Sequence, residues 1–146
     1  MDKAQQDALK KAAGIEAAKL IQNGMIAGLG TGSTAYHMVN AVGEMVKNGL
    51  KIQAIPTSKA TEAQARELGI PLLTIDELDH VDLAIDGVDE IDPQFNAIKG
   101  GGGALYREKV VASMAKEVIW IMDESKLVDK IGAFHLPVEI AQYGSK

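Results

Sequence analysis

The chain has 146 residues, 47% of them apolar with 15 glycines besides, and a formal net charge of −5; this suits one well-packed domain and leaves no excess of cation to neutralise a nucleic-acid backbone. Having no cysteine, it cannot use disulfides, thiolate nucleophiles, thiolate zinc sites or iron–sulfur clusters. No run approaches 18 apolar residues and Met1 to Lys11 lacks an apolar leader core, so no membrane partner is expected and the cytoplasm is the expected compartment.

Leu9, Ala12, Ala13 and Leu20 recur at helical spacing, and Asn23-Gly24 ends that first helix. Met25 to Leu29 is too short for a helix and feeds Gly30-Thr31-Gly32, so it reads as a buried strand. Ala35, Met38, Val39, Val42, Met45 and Val46 mark a second helix, with Ser33 and Thr34 as candidate N-caps and Asn48-Gly49 as its stop. The cycle repeats with a strand at Ile52 to Ile55, a helix at Thr57 to Leu68 and a strand at Leu72 to Ile75. It continues with a strand at Val81 to Ile85, a helix at Ala104 to Lys116, and strands at Val118 to Met122 and Leu136 to Ile140. Strands alternating with helices predict an α/β fold, a doubly wound, mostly parallel sheet with helices on both faces, Rossmann-like in outline. Ligands of such sheets bind beyond the carboxyl ends of the strands, so the residues just past each strand matter most.

Gly28-Leu29-Gly30-Thr31-Gly32-Ser33-Thr34 lies at the end of the first strand. Its glycines let an anion approach the backbone, and the next helix turns its N–H groups and positive dipole end toward the same place. A dinucleotide site is not expected, because Ser33 replaces the third fingerprint glycine and no acid comes after Ile55. A Walker loop fails for want of Gly-Lys-Ser/Thr. A small phosphate pocket and a plain capped turn both remain open.

Asp86-Gly87-Val88-Asp89-Glu90-Ile91-Asp92 puts four carboxylates at a strand end. The spacing does not fit a calcium loop, and His37, His80 and His135 all lie elsewhere in the sequence. A solvated acidic turn is the plain alternative. Lys99-Gly100-Gly101-Gly102-Gly103 then opens a helix; glycine N–H groups beside a lysine suit an oxyanion or phosphate, and a flexible hinge is the other reading. On that helix Leu105, Glu108, Val111, Ala112 and Ala115 share one stripe, so Glu108 falls among apolar residues with Ala104 and Ala112 as its i−4 and i+4 neighbours. A carboxylate facing low dielectric has a raised pKa and becomes a candidate base, unless it lies at the stripe edge and reaches solvent or Lys99. Arg107 and Lys109 point to other faces.

Taken in order, these motifs resemble those of type A ribose-5-phosphate isomerases. The glycine loop through Ala35, Thr57-Ser58 with Thr61, Asp86 to Glu90, Lys99 to Lys109 and Asp123-Glu124-Ser125-Lys126 all match in register, from about Leu9 to Ile140. The departures are Val88, where alanine is more usual, Tyr106 at a variable position, and length. The resemblance implies interconversion of ribose 5-phosphate and ribulose 5-phosphate through an enediolate, with no metal or organic cofactor, a pentose 5-phosphate as the partner molecule, and a homodimer or homotetramer. It makes Glu108 the base, gives Asp86 and Asp89 ring opening and hydroxyl proton transfer, and assigns the enediolate oxygen to Lys99, Gly100, Gly101 and Gly102. Gly87 and Val88 would touch substrate, while Lys10, Thr31, Gly32, Ser33, Thr34 and Lys126 would hold chiefly its phosphate. Related folds also serve as sugar-phosphate-sensing domains of regulators and as coenzyme A transferases, which stay as alternatives. Family chains are longer, so residues 1–130 are expected to form the catalytic domain. Residues 131–146 would begin a connection to a second, smaller domain absent here, leaving this span alone weakly active.

Overall fold

The computed structural model describes residues 2–145. Helix α1 (Lys3–Ala18) starts ahead of its first apolar repeat because Asp2 and Gln5 form a capping box, the Gln5 N–H donating to Asp2 Oδ1 at 2.8 Å and the Asp2 N–H to Gln5 Oε1 at 3.2 Å. Next come β1 (Ile26–Leu29), α2 (Ser33–Lys47), β2 (Gln53–Pro56), α3 (Lys59–Glu67) and β3 (Val81–Gly87). A small hairpin of β4 (Glu90–Ile91) and β5 (Ala97–Ile98) precedes α4 (Leu105–Met114) and β6 (Ala115–Ile121).

The main sheet is fully parallel in the order β2-β1-β3-β6. Side chains alternate across it. Ala27, Leu29, Ala54, Leu83 and Ile85 face one side, where α1, α2 and α3 bury Ala18, Met38, Val39, Val42 and Ala65 against them. Ile55 and Ala84 face the other side with Val111 of α4. Gly28, read from the sequence as part of an anion loop, belongs to this second face. A Cβ there would lie 2.6 Å from Val111 Cγ1, so the glycine is what lets α4 lie close on the sheet and lower Glu108 toward the strand ends. Since β1 pairs with β2 on one side and β3 on the other, the strand order reverses at the β1–β3 boundary, and the crevice opens beyond Leu29 and Gly87.

Four expectations need correction. Leu72 to Ile75 is not a strand; one bridge, Leu72 to Ala54, forms before Thr74 starts a 3₁₀ turn at Ile75–Glu77 and redirects the chain. Leu136 to Ile140 is irregular, since its alternating apolar residues pair with no strand, and Leu136, Val138 and Ile140 are exposed. Helix α4 stops at Met114, so Ala115 leaves the helical stripe to begin β6, which pairs with β3 from Val81 onward. The N-cap of α2 is Gly32, at φ 109°, without a side-chain cap; Ser33 and Thr34 are already helical.

Candidate active site

Asp86 sits at the end of β3 against the turn after β1. Its Oδ1 accepts from the Thr31 N–H (3.0 Å) and the Gly87 N–H (2.7 Å), which fixes the carboxylate plane and the glycine turn together. Gly30 makes this possible, because a Cβ there would lie 2.4 Å from Asp86 Oδ1 and 2.6 Å from its Cα. The second contact is backbone and cannot swing away. Gly30→Ala is therefore expected to cost about 1–3 kcal/mol of stability and to displace Asp86, which a denaturant titration beside an activity assay would detect. Two threonines fasten the same turn from β2 and α3. Thr57 Oγ1 donates to the Leu29 carbonyl (2.9 Å), so in its 2.7 Å contact with Thr31 Oγ1 the donor is Thr31. Thr61 Oγ1 donates to the Gly30 carbonyl (2.9 Å).

Lys99 stands between two acids. Its Nζ lies 3.4 Å from Asp86 Oδ2 and 3.2 Å from Glu108 Oε1, and it donates to the Gly87 carbonyl. Glu108 is 6% exposed. Burial pushes its carboxyl from the ordinary 4.5 up to about 7; the Asp86 charge adds to the rise and Lys99 opposes it. The stripe-edge reading and the buried-base reading thus meet in one residue, for Glu108 is buried and also reaches Lys99. Arg107 and Lys109 are exposed, as their faces predicted.

The four clustered carboxylates separate by task. Asp89 Oδ2 accepts from the Gly101 N–H (2.8 Å), tying the glycine run to the turn that follows β3. Glu90 is buried and Oε1 accepts from the N–H groups of Gly132 and Phe134, both at 3.0 Å. Asp92 Oδ1 accepts from Gln94 and Asn96 N–H groups at 2.9 Å each and shapes the β4–β5 turn; its hydrogen bonds, the Asn96 side chain foremost, hold the carboxyl below its usual range. No group of three or more His, Cys, Asp or Glu among the described residues is placed to hold a metal ion.

A cleft of about 110 Å³ gathers Thr31, Gly32, Ser33, Thr34, Gly87, Val88, Asp89, Lys99, Gly100, Gly101, Gly102, Glu108 and Lys126. Asp86 borders it from beneath through Lys99. Lys10 joins from α1, donating to Ser33 Oγ at 3.0 Å. Neither α2 nor α4 has a side-chain cap at its N-terminus, so both dipole ends can serve an anion. Three supporting residues belong to motifs matched in the sequence that assign them no role. Thr57 and Thr61 resemble an ordinary helix start, and Asp123 an ordinary cap, until the fold brings them to the turn and to Lys10.

The fold and the cleft define a class: a parallel α/β protein whose strand ends join an anion cradle to a buried carboxylate paired with lysine. Residues 53–146 match the family model described as ribose 5-phosphate isomerase A (phosphoriboisomerase A). Ribose-5-phosphate isomerase A of Bifidobacterium adolescentis is 60% identical over 146 residues, which cover 99% of this chain and 63% of that protein. Ribose 5-phosphate isomerase A from Methanocaldococcus jannaschii superposes with a TM-score of 0.84 at 42% identity, covering 88% of this chain and 58% of that one. A D-ribose-5-phosphate isomerase in complex with phospho-erythronic acid gives 0.84 at 41% identity, with coverages of 90% and 57%. The chain belongs to the ribose 5-phosphate isomerase A family and spans 63% of the length of the Bifidobacterium relative.

Proposed function

We propose that this chain carries the catalytic domain of a ribose-5-phosphate isomerase, interconverting ribose 5-phosphate and ribulose 5-phosphate by proton transfer through an enediolate. The observation that carries this reading is Glu108, a buried carboxylate with a pKa near 7, 3.2 Å from a lysine and beside a glycine run at the strand ends. A base whose pKa is raised toward neutrality can both take a proton from C2 and return it at C1. Lys99, with the N–H groups of Gly100 and Gly102, would meet the oxygen that gains charge in the enediolate; the Gly101 N–H, expected to share that task, is instead held by Asp89 Oδ2 at 2.8 Å. Asp86 and Asp89 serve ring opening and hydroxyl proton transfer, with Gly87 and Val88 as the floor between them. The family resemblance implies these steps without a metal or organic cofactor, and Asp89, Glu90 and Asp92 each accept from backbone N–H groups. Incubation with ribose 5-phosphate in heavy water tests the reading. Product carrying deuterium at C1 is expected, and no conversion by the wild-type protein would refute it.

Thr31, Gly32, Ser33, Thr34, Lys10 and Lys126 form the phosphate end. The phosphorylated four-carbon acid bound by one similar isomerase structure has the two anionic ends such a cleft would take, one for α2 and one for Lys99. Ser33→Ala combined with Lys126→Ala is expected to raise KM about ten-fold or more while kcat falls much less, since the contacts removed bind substrate and transition state alike. Steady-state kinetics against ribose 5-phosphate would check this, and an unchanged KM would place the phosphate elsewhere. A sugar-phosphate sensor would leave the Lys99–Glu108 pair without a task, whereas a coenzyme A transferase would need a nucleophilic glutamate and a coenzyme A site, and incubation with acyl-coenzyme A would expose its covalent adduct.

No helix among the described residues is long and apolar enough to cross a membrane. A cytoplasmic enzyme working as a homodimer or homotetramer accords with the family resemblance; a sedimenting monomer would overturn the oligomer. Residues 1–130 would be the catalytic domain and residues 131–146 a connection toward a second domain. The exposure of Leu136, Val138 and Ile140 and the greater length of the relatives support this. Equal specific activity of this span and a longer form would contradict it.

A further inference from the structure

Asp123 lies just beyond β6 at the carboxyl edge of the sheet, and its side chain is wholly buried. Oδ1 accepts from the Ser125 N–H at 2.8 Å and from Gln6 Nε2 at 3.5 Å, capping the 3₁₀ turn Glu124–Lys126. Oδ2 is also buried and has no hydrogen-bond partner among the described residues. The cation it faces is Lys10 Nζ, 3.9 Å away, and that ammonium is the donor to Ser33 Oγ at 3.0 Å in the first turn of α2. One carboxylate thus touches both lysines of the phosphate end, Lys10 through charge and Lys126 through the turn that carries it.

A buried carboxylate oxygen without a donor is retained at a cost, so a compensating use is to be sought. Lysine has a compact charge on a flexible four-carbon stem and needs a fixed counter-charge to be held in one place. At 3.9 Å Asp123 steers the ammonium without consuming its donors, leaving them for Ser33 and for an anion at the α2 end. We propose that Asp123 is a positioning residue that holds Lys10, and with it the substrate phosphate, at the N-terminus of α2. The inference rests on reading that end of the cleft as the phosphate site.

Asn and Ser at this position can still cap the turn, so Asp123→Asn and Asp123→Ser remove the charge while keeping the fold. Each is expected to raise KM for ribose 5-phosphate on the order of ten-fold with kcat within about two-fold, and to weaken inorganic phosphate as a competitive inhibitor in parallel. Lys10→Met should have a like effect, and Lys10→Met combined with Asp123→Asn should be no worse than Lys10→Met alone. Effects that add, or a loss confined to kcat, would overturn the role. Calorimetric titration with inorganic phosphate separates this inference from the isomerase reading. Weaker phosphate binding by Asp123→Asn supports it even if the wild-type protein converts no sugar, and unchanged binding refutes it even if the wild-type protein is active.

Discussion

Replacing Glu108 by Gln is expected to lower kcat by about 10⁴-fold while leaving ribose 5-phosphate binding nearly intact, because the amide keeps the shape and cannot accept the C2 proton. Loss of solvent deuterium exchange would locate the defect in the proton-transfer step, and wild-type turnover in the variant would remove Glu108 from the chemistry. The pH dependence has a definite sign. Burial raises the carboxyl from 4.5 to about 7, so the basic form needed for catalysis appears as pH rises through 7, and kcat/KM of the wild-type protein should climb over that interval and then level. Stability runs the other way. A folded pKa above the unfolded one gives a contribution that is fully present below 4.5 and is lost as pH rises through about 7. Gln carries no charge into the site and escapes that loss. The melting temperature of Glu108→Gln relative to wild type should therefore increase between about pH 5 and pH 8, measurable by scanning calorimetry.

The placement of Glu108 was legible because helical periodicity is a local signal. Its place on the apolar stripe was readable from neighbours three and four residues away, which left a buried base and a stripe-edge glutamate both open, and the position of the first glycine run after a strand could be told from the short apolar run Met25 to Leu29. The corrections arise where structure depends on distant partners. Leu136 to Ile140 carries a strand's alternation, yet alternation makes a strand only when the backbone pairs with a partner, and these residues pair with none and stay exposed. The β4–β5 hairpin has two residues in each strand, too few to show a period, and its turn contains Phe95 at φ 64°, a conformation its side chain disfavours and Asp92 imposes through its hydrogen bonds. Asp123 is the extreme case. Its partner Gln6 lies 117 positions away, and nothing near Asp123 in the sequence says that Lys10 will face it. Asp86 was legible as a strand-end acid, but its hold on the Thr31 N–H was not, since that contact exists only because β1 and β3 are neighbours.

Lys99→Met should be nearly as damaging as the loss of the base, for a different reason. Lys99 Nζ contacts both Asp86 and Glu108, at 3.4 and 3.2 Å, and without it two adjoining buried carboxylates lose their counter-charge. Such a pair retains a proton to higher pH, so the apparent pKa of the base is expected to move above about 7. The variant also loses the ammonium aimed at the enediolate oxygen, a donor whose removal typically costs about 10²–10³-fold. At neutral pH the two losses combine to about 10³-fold or more in kcat/KM, and part of the activity should return by about pH 9 as the base ionises. Stability distinguishes the causes. The folded variant resists ionisation more strongly than the wild type, so its stability deficit should be small at about pH 5, where the pair can share a proton, and should widen toward about pH 9. Lys99→Arg keeps the charge and should leave the profile near its wild-type position even if the larger head costs rate. A Lys99→Met profile that stays in place or moves to acid would show that Lys99 does not restrain the ionisation of Glu108.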